Sequence, residues 1–369
     1  MTSYQAVPVV IVSWLIGMYL VYQALLLGAF GEEGLRFTLY EWIAVGDFTL
    51  AEAATLAALP VSGQQAGRSY RVGMLIPVAG LLAAPYIAAA REQLAKQGFV
   101  EGRNLQLDVR IPDSFGPGEG MAKARELAAL KPDALLVLGT ALTQAAVSAA
   151  EAVPIVFAWV ADPVASGILK DLARPERNAT GVTNRFFELA AKRVELAREL
   201  VPPAKRLAMA AGYFDAALET AMQFAQRTAD KLELELVRVE VGGSWSHGVE
   251  LAVKAGAQAM LAMTPFEFLG SRFAAEQVIT SGIERRFPVI FSNVETVDAG
   301  GLASYATRLG DDVRRAADLL ARVLNGARPR DLPVDQAARF ELAINLKTAR
   351  AIGLNVPQSL LLRADRVIE

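Results

Sequence analysis

The sequence predicts an α/β fold: parallel sheets covered by helices, arranged as two lobes. Three observations predict it. First, short apolar runs of strand length alternate with stretches of helical period along nearly the whole chain after residue 69. Second, several of those runs are apolar at consecutive positions, which marks strands buried on both faces of a parallel sheet. Third, the chain has 369 residues, enough for two domains, and the alternation begins afresh after Pro202 and Pro203.

Residues 70–76 (YRVGMLI) read as the first strand, with Pro77, Val78, Ala79 and Gly80 as the loop after it. Residues 85–97 read as a helix, because Tyr86, Ile87, Ala90 and Leu94 share one face, and Gly98 caps its end. A second strand follows at 105–109, then a Gly/Pro loop over 113–120 and a helix over 121–130 that Pro132 and Asp133 break. The third strand is 134–138, followed by Gly139, Thr140 and Ala141 and a helix over 142–152. Pro154 restarts the chain, and 155–160 (IVFAWV) is a wholly apolar strand ending at Ala161, Asp162 and Pro163. Residues 178–183 read as a short strand leaving the first sheet, with Asn184 just beyond it.

Three strand ends therefore point to one edge, where open α/β sheets hold ligands. The candidate contacts there are Pro77, Val78, Gly139, Thr140, Ala141, Ala161 and Asp162. Gly139 allows close backbone approach, and Thr140 brings a hydroxyl to a helix start whose free N–H groups favour a carboxylate. The same pair also reads as a simple helix cap. Asp162, held out of helical geometry by Pro163, is either a turn-making residue or a carboxylate facing a ligand's ammonium.

The second half repeats the pattern. Residues 186–200 (FFELAAKRVELAREL) form an amphipathic helix whose mixed charges over 192–199 read as an exposed face. Strands are expected at 206–211, 233–239, 259–263 and 288–291, and helices at 220–231, 249–255 and 274–281. Tyr213 follows the first of these strands and suits either stacking on a ligand or packing. Thr264 and Pro265 follow the third. Asn293 and Glu295 follow the fourth, as ligand contacts or as a helix cap. A crossing starts at 303–305, a helix covers 311–324, a final strand region covers 333–346, and a short helix covers 346–352. Three crossings between lobes place a hinge beside the cleft.

The run PIVFAWVADPVASGILKDLARPERNATGVTN resembles the substrate-binding proteins of a bacterial ABC-transporter family that includes binders of aromatic amino acids. GFVEGRNLQLDVR, KRVELARELVP, AGGLASY and FELAINLKTARAIGLNVPQSLLLRADRVIE extend the likeness over residues 69–369 in the expected order. The resemblance implies a type I periplasmic-binding-protein (Venus-flytrap) fold that closes on a small solute, and permease and ATPase subunits as partners. It makes amino acids, aromatic ones first, the leading ligand class. The expected lobes are 69–183 with 306–330 returning, and 184–305 with 331–369. Two departures stand out. Gly212 to Asp215 replaces an Asn-Pro type turn, and no Asp accompanies Thr264.

Residues 1–31 carry no charge, and Val7 to Phe30 is long enough to cross a bilayer of about 30 Å at about 1.5 Å per residue. An N-terminal apolar helix is expected there, as a membrane anchor on the extracytoplasmic face. With AEAATLAALPVSGQQAG at 51–67, residues 1–68 also read as an altered or extended export leader. No Lys or Arg precedes the apolar run, unlike an ordinary signal peptide. A membrane-tethered sensing domain is the alternative reading.

Composition narrows the rest. Cysteine is absent, which removes disulfides, thiolate catalysis, a lipid-anchor cysteine and the paired cysteines of a two-lobed racemase. Net charge is −2 with no basic stripe, so nucleic acid is not an expected partner. His247, the sole histidine, lies in the loop GGSWSHG, which fails G-x-S-x-G. There is no phosphate-binding Gly-Lys loop and no H-E-x-x-H. The neighbours Asp311 and Asp312, like Glu32 and Glu33, read as solvated pairs. No enzyme activity, metal or cofactor is expected.

Overall fold

In the computed structural model, which describes residues 68–77, 83–112, 117–212, 216–242, 245–263, 272–336 and 339–369, the apolar runs are strands and the periodic stretches are helices. The first lobe is laid down as β1 (Tyr70–Leu75), α1 (Ala84–Lys96), β2 (Leu105–Arg110), α2 (Pro117–Ala129), β3 (Ala134–Leu138), α3 (Thr140–Ala149), β4 (Ile155–Val160) and β5 (Ala179–Thr183). Helix α2 starts at Pro117, inside the expected loop, because a first-turn proline has no N–H to leave unpaired and its φ is already helical.

The second lobe follows as α4 (Phe186–Leu200), β6 (Arg206–Ala211), α5 (Ala216–Lys231), β7 (Glu235–Glu240), α6 (Gly248–Lys254), β8 (Ala259–Ala262), α7 (Arg272–Glu284), β9 (Val289–Phe291), α8 (Val294–Asp298) and β10 (Ala303–Ala306). The chain then crosses back for α9 (Leu309–Leu324) and β11 (Asp335–Gln336). It returns through β12 (Glu341–Asn345), α10 (Leu346–Ala351), α11 (Gln358–Leu361) and β13 (Arg366–Ile368).

The first sheet has the order β11-β5-β4-β3-β1-β2 and the second β13-β12-β10-β9-β8-β6-β7. Every pairing of the first sheet is parallel. In the second, β10 and β12 alone run antiparallel. Connectivity explains the exception. Strand β10 leaves its sheet toward the crossing and β12 enters from it, so the two traverse the sheet in opposite directions. Strand β13 pairs in parallel with β12 and shares its direction, and the carboxyl ends of all remaining strands in both sheets consequently point toward the segments that join the lobes.

Consecutive side chains of each inner strand feed two cores. Leu136 and Leu138 pack with α1 and α9 on one face of the first sheet, and Leu135 and Val137 pack with α2 and α3 on the other. In the second lobe, Leu207 and Met209 face α4 and α5, and Ala208 and Ala210 face α6 and α7.

Two expectations about strand membership need correction. Residues 179–183 do not leave the first sheet. They pair in parallel with β4, and Gly181 lets the backbones close: a Cβ there would stand 2.2 Å from the carbonyl oxygen of Phe157. Residues 331–336 belong with the first lobe rather than the second. Leu332 and Val334 are buried in its two cores, Thr180 Oγ1 donates to the Leu332 carbonyl at 2.8 Å, and β11 pairs with β5. The final strand region is therefore two strands in two sheets.

Among the described residues no helix is long and apolar enough to cross a membrane. The apolar run 7–30 and the leader-like segment at 51–67 lie outside them.

Candidate functional site

Several loops meet at the carboxyl edge of the first sheet. Gly139 sits at φ +91°, a region that favours glycine, and its N–H donates to the Ala158 carbonyl at 2.9 Å. A Cβ on Gly139 would come within 3.6 Å of the buried Pro77 ring, so the β1 and β3 ends lie side by side. Helix α3 begins at Thr140, and Thr140 Oγ1 accepts the Ala161 N–H at 3.3 Å. Thr183 Oγ1 donates to the Ala161 carbonyl at 3.0 Å. Two hydroxyls thus fix the peptide groups of Ala161, just before Asp162. Asp162 Oδ1 accepts the N–H groups of Val164 and Ala165 at 2.8 and 2.9 Å, which makes the turn expected of an Asp before proline. Ala141 is exposed on the first turn of α3. Pro77, Gly139, Thr140, Ala161 and Asp162 are therefore neighbours along one edge.

On the second lobe, Asn293 is buried and caps α8, its Oδ1 accepting the Thr296 N–H at 2.9 Å. Glu295 lies in the first turn of α8. Its Oε1 accepts the N–H of Leu309 at 3.0 Å, and Oε2 has no partner among the described residues. Burial pushes the Glu295 carboxyl up to about 7, against the pull of the two backbone donors and of Arg308.

Leu309 opens α9 on the second crossing, and its peptide groups are held from both lobes. Glu295 of the second lobe takes the N–H, while Trp159 Nε1 of the first lobe donates to its carbonyl at 3.0 Å. Trp159 sits at φ +61° in a bulge of β4, where the register with β5 shifts between Phe157 and Val160. Its ring meets Tyr86 edge-on, with centroids 4.8 Å apart. Next to Leu309, Arg308 grips Glu341 of the third crossing with two hydrogen bonds, at 3.0 and 2.6 Å.

Asn184, on the first crossing, joins Asn293 in a cavity beside the hinge. Phe186, Arg193, Ser292 and Thr307 also line it, and its volume is about 320 Å³ counted out to solvent. Sequence reasoning missed two residues here. Arg193 lies in the charge mixture expected to be an exposed face, yet it is 1% exposed. The helical spacing carried the signal, since 193 falls on the stripe of Phe187, Ala190, Val194 and Ala197. Asp312, expected to be solvated, is 2% exposed and accepts a 2.7 Å hydrogen bond from Thr307 Oγ1. Burial raises its carboxyl to about 7. Nothing in the sequence near Asp311 and Asp312 separates the buried carboxylate from the exposed one except position on α9.

Four predicted contacts, Val78, Tyr213, Thr264 and Pro265, lie outside the described residues. Among the described residues, no group of His, Asp or Glu side chains could hold a metal ion.

Residues 86–368 match the model of the ABC transporter substrate binding protein family. The chain belongs to that family. As a substrate-binding protein it is a binder of solutes and not an enzyme. Its sequence is 26% identical over 263 residues to the tyrosine-binding protein of Clostridioides difficile (strain R20291), covering 71% of this chain and 74% of that protein. Its structure is similar to that of a conserved domain protein from Vibrio cholerae, with a TM-score of 0.74, 25% identity, and coverage of 81% of this chain and 100% of the other. An ABC domain from Streptococcus pneumonia in complex with L-Trp shares the fold, with a TM-score of 0.72, 23% identity and the same coverage. The substrate-binding protein described here thus has the two-lobed α/β fold of periplasmic binding proteins.

Proposed function

We propose that the protein captures an amino acid, aromatic ones in first place, between its lobes and delivers it to a permease served by an ATPase. The observation that carries the ligand class is the 26% identity to a tyrosine-binding protein over most of both chains. The geometry supports capture, because strand ends of both sheets converge on the crossings that join the lobes. The moving bodies are 69–183 with 306–336, and 184–305 with 341–369, in a type I arrangement. Ligand that touches both lobes only when they are closed shifts the population toward closure by its differential affinity.

In this reading the helix start at Gly139 and Thr140 receives the α-carboxylate and the free oxygen of Asp162 receives the ammonium. Pro77, Val78, Ala141 and Ala161 frame that edge. Asn184, Tyr213, Thr264, Pro265, Asn293 and Glu295 complete the enclosure from the hinge and the second lobe. Asp162→Asn separates the two roles of that residue, since the amide oxygen still accepts from Val164 and Ala165. We expect unchanged unfolding and a dissociation constant raised about tenfold or more, the worth of a charge-assisted hydrogen bond. Isothermal titration of the variant checks it, and unaltered affinity removes Asp162 from the site.

A thermal-shift screen of the full chain against amino acids and other metabolites tests the ligand class. Solute at 100 times its dissociation constant stabilises the fold by about 2.7 kcal/mol. A shift with an unrelated solute and none with aromatic amino acids would overturn the aromatic assignment. The apolar run 7–30 supports tethering to the inner membrane, on its extracytoplasmic face. Recovery of the full chain in the soluble fraction after cell lysis counts against the tether. The same run favours a second reading, a tethered sensing domain, for which binding would proceed without permease stimulation in reconstituted vesicles.

A further inference from the structure

Arg193 is the one fully buried cation of the second lobe's described core, and its environment is unusual. Nε donates to the Tyr305 carbonyl and Nη2 to the Ser292 carbonyl, each at 3.1 Å. The guanidinium lies over the Phe186 ring, 5.2 Å from its centroid. Nη1 has no hydrogen-bond partner among the described residues, and Arg193 lines the hinge cavity with Asn184, Asn293 and Thr307. Burial alone pulls its pKa down to about 9, with no carboxylate holding it up, so it remains charged at neutral pH. A buried charge with only neutral acceptors is costly unless something of opposite sign is supplied. The cavity has room for about one water-sized sphere.

We infer that this hinge cavity is a monoanion site in which Arg193 Nη1 is the principal donor. The space suits one monatomic anion or one carboxylate oxygen. Chloride and the carboxylate of a captured solute are the two sources of that chemistry. The second source rests on the amino-acid reading above, with the α-carboxylate at Arg193 in place of the helix start at Thr140; the first does not. Because Asn184 and Thr307 belong to two different crossings, an anion there would bridge the hinge itself.

Three measurements on the full chain decide the matter. Unfolding midpoints are recorded in sodium chloride and sodium gluconate at constant ionic strength. Affinities are compared for tryptophan and tryptamine, which lacks the carboxylate. Anomalous diffraction is recorded from crystals soaked in sodium bromide. A chloride site predicts a midpoint that climbs with chloride and not with gluconate, and an anomalous peak within hydrogen-bond distance of Nη1. A solute-carboxylate site predicts no such peak and tryptophan binding about tenfold or more tighter than tryptamine. Arg193→Gln should abolish whichever dependence is seen. If the variant does not fold, the wild-type bromide crystal and a tryptophan-soaked crystal still report what lies at Nη1. Water alone at Nη1 in both crystals overturns the inference. Tryptophan bound with its carboxylate elsewhere, together with no bromide peak at Nη1, removes this site and leaves the proposed function standing.

Discussion

Replacing Trp159 with alanine is expected to lower the unfolding free energy by about 3–5 kcal/mol, the range for truncating a large buried aromatic. The side chain is 0% exposed in the core that joins the first sheet to α1 and α9. Truncation removes the edge-on contact with Tyr86 and opens a void between β4 and α9. It also removes the indole N–H bond to the Leu309 carbonyl, 3.0 Å long, which ties β4 to the first turn of α9. Trp159→Phe divides the two losses, since it keeps most of the ring volume and removes only the donor. It should cost about 0.5–1.5 kcal/mol, the net worth of one buried hydrogen bond. Urea unfolding of both variants measures this. A loss under about 1 kcal/mol for the alanine variant would mean that the hinge collapses around the void, and that Trp159 is not its anchor.

Stability is expected to fall as pH rises from 5 to 8. Glu295 and Asp312 are buried carboxyls raised to about 7, from ordinary values of 4.5 and 3.8. For Glu295 burial is the main cause, and Asp298 adds to it while Leu309 and Arg308 oppose it. For Asp312 burial again leads, with Asp311 and Asp335 adding and Thr307 and Arg315 opposing. Between the ordinary values and about 7 the folded chain keeps two protons that the unfolded chain has released. The stabilisation these groups give is thus complete below about pH 4 and is lost as pH rises through 7. Each group contributes about 3–4 kcal/mol across that window. Urea titrations at pH 5, 6, 7 and 8 read the slope. Glu295→Gln with Asp312→Asn keeps both acceptors in neutral form and should flatten it. A wild-type profile already flat between pH 5 and 8 would show that both carboxyls are ionised where they lie.

Both predictions concern the crossings, where the sequence was least legible. The alternation of apolar runs with helical stretches determined by itself the α/β class, the bounds of 134–138, 155–160, 186–200 and 206–211, and the edge on which Pro77, Gly139, Thr140 and Asp162 gather. These are local properties. A strand buried on both faces must be apolar throughout, and a turn before proline must leave helical geometry, whatever lies elsewhere in the chain. Only the tertiary structure decided that β11 joins the first sheet and β12 the second, that Trp159 turns out of register in a bulge, and that Arg193 and Asp312 are buried. The reason is physical: strand partners and the burial of a charged side chain are set by neighbours distant in sequence. Thr180 captures Leu332, and Tyr305 and Ser292 offer carbonyls to Arg193.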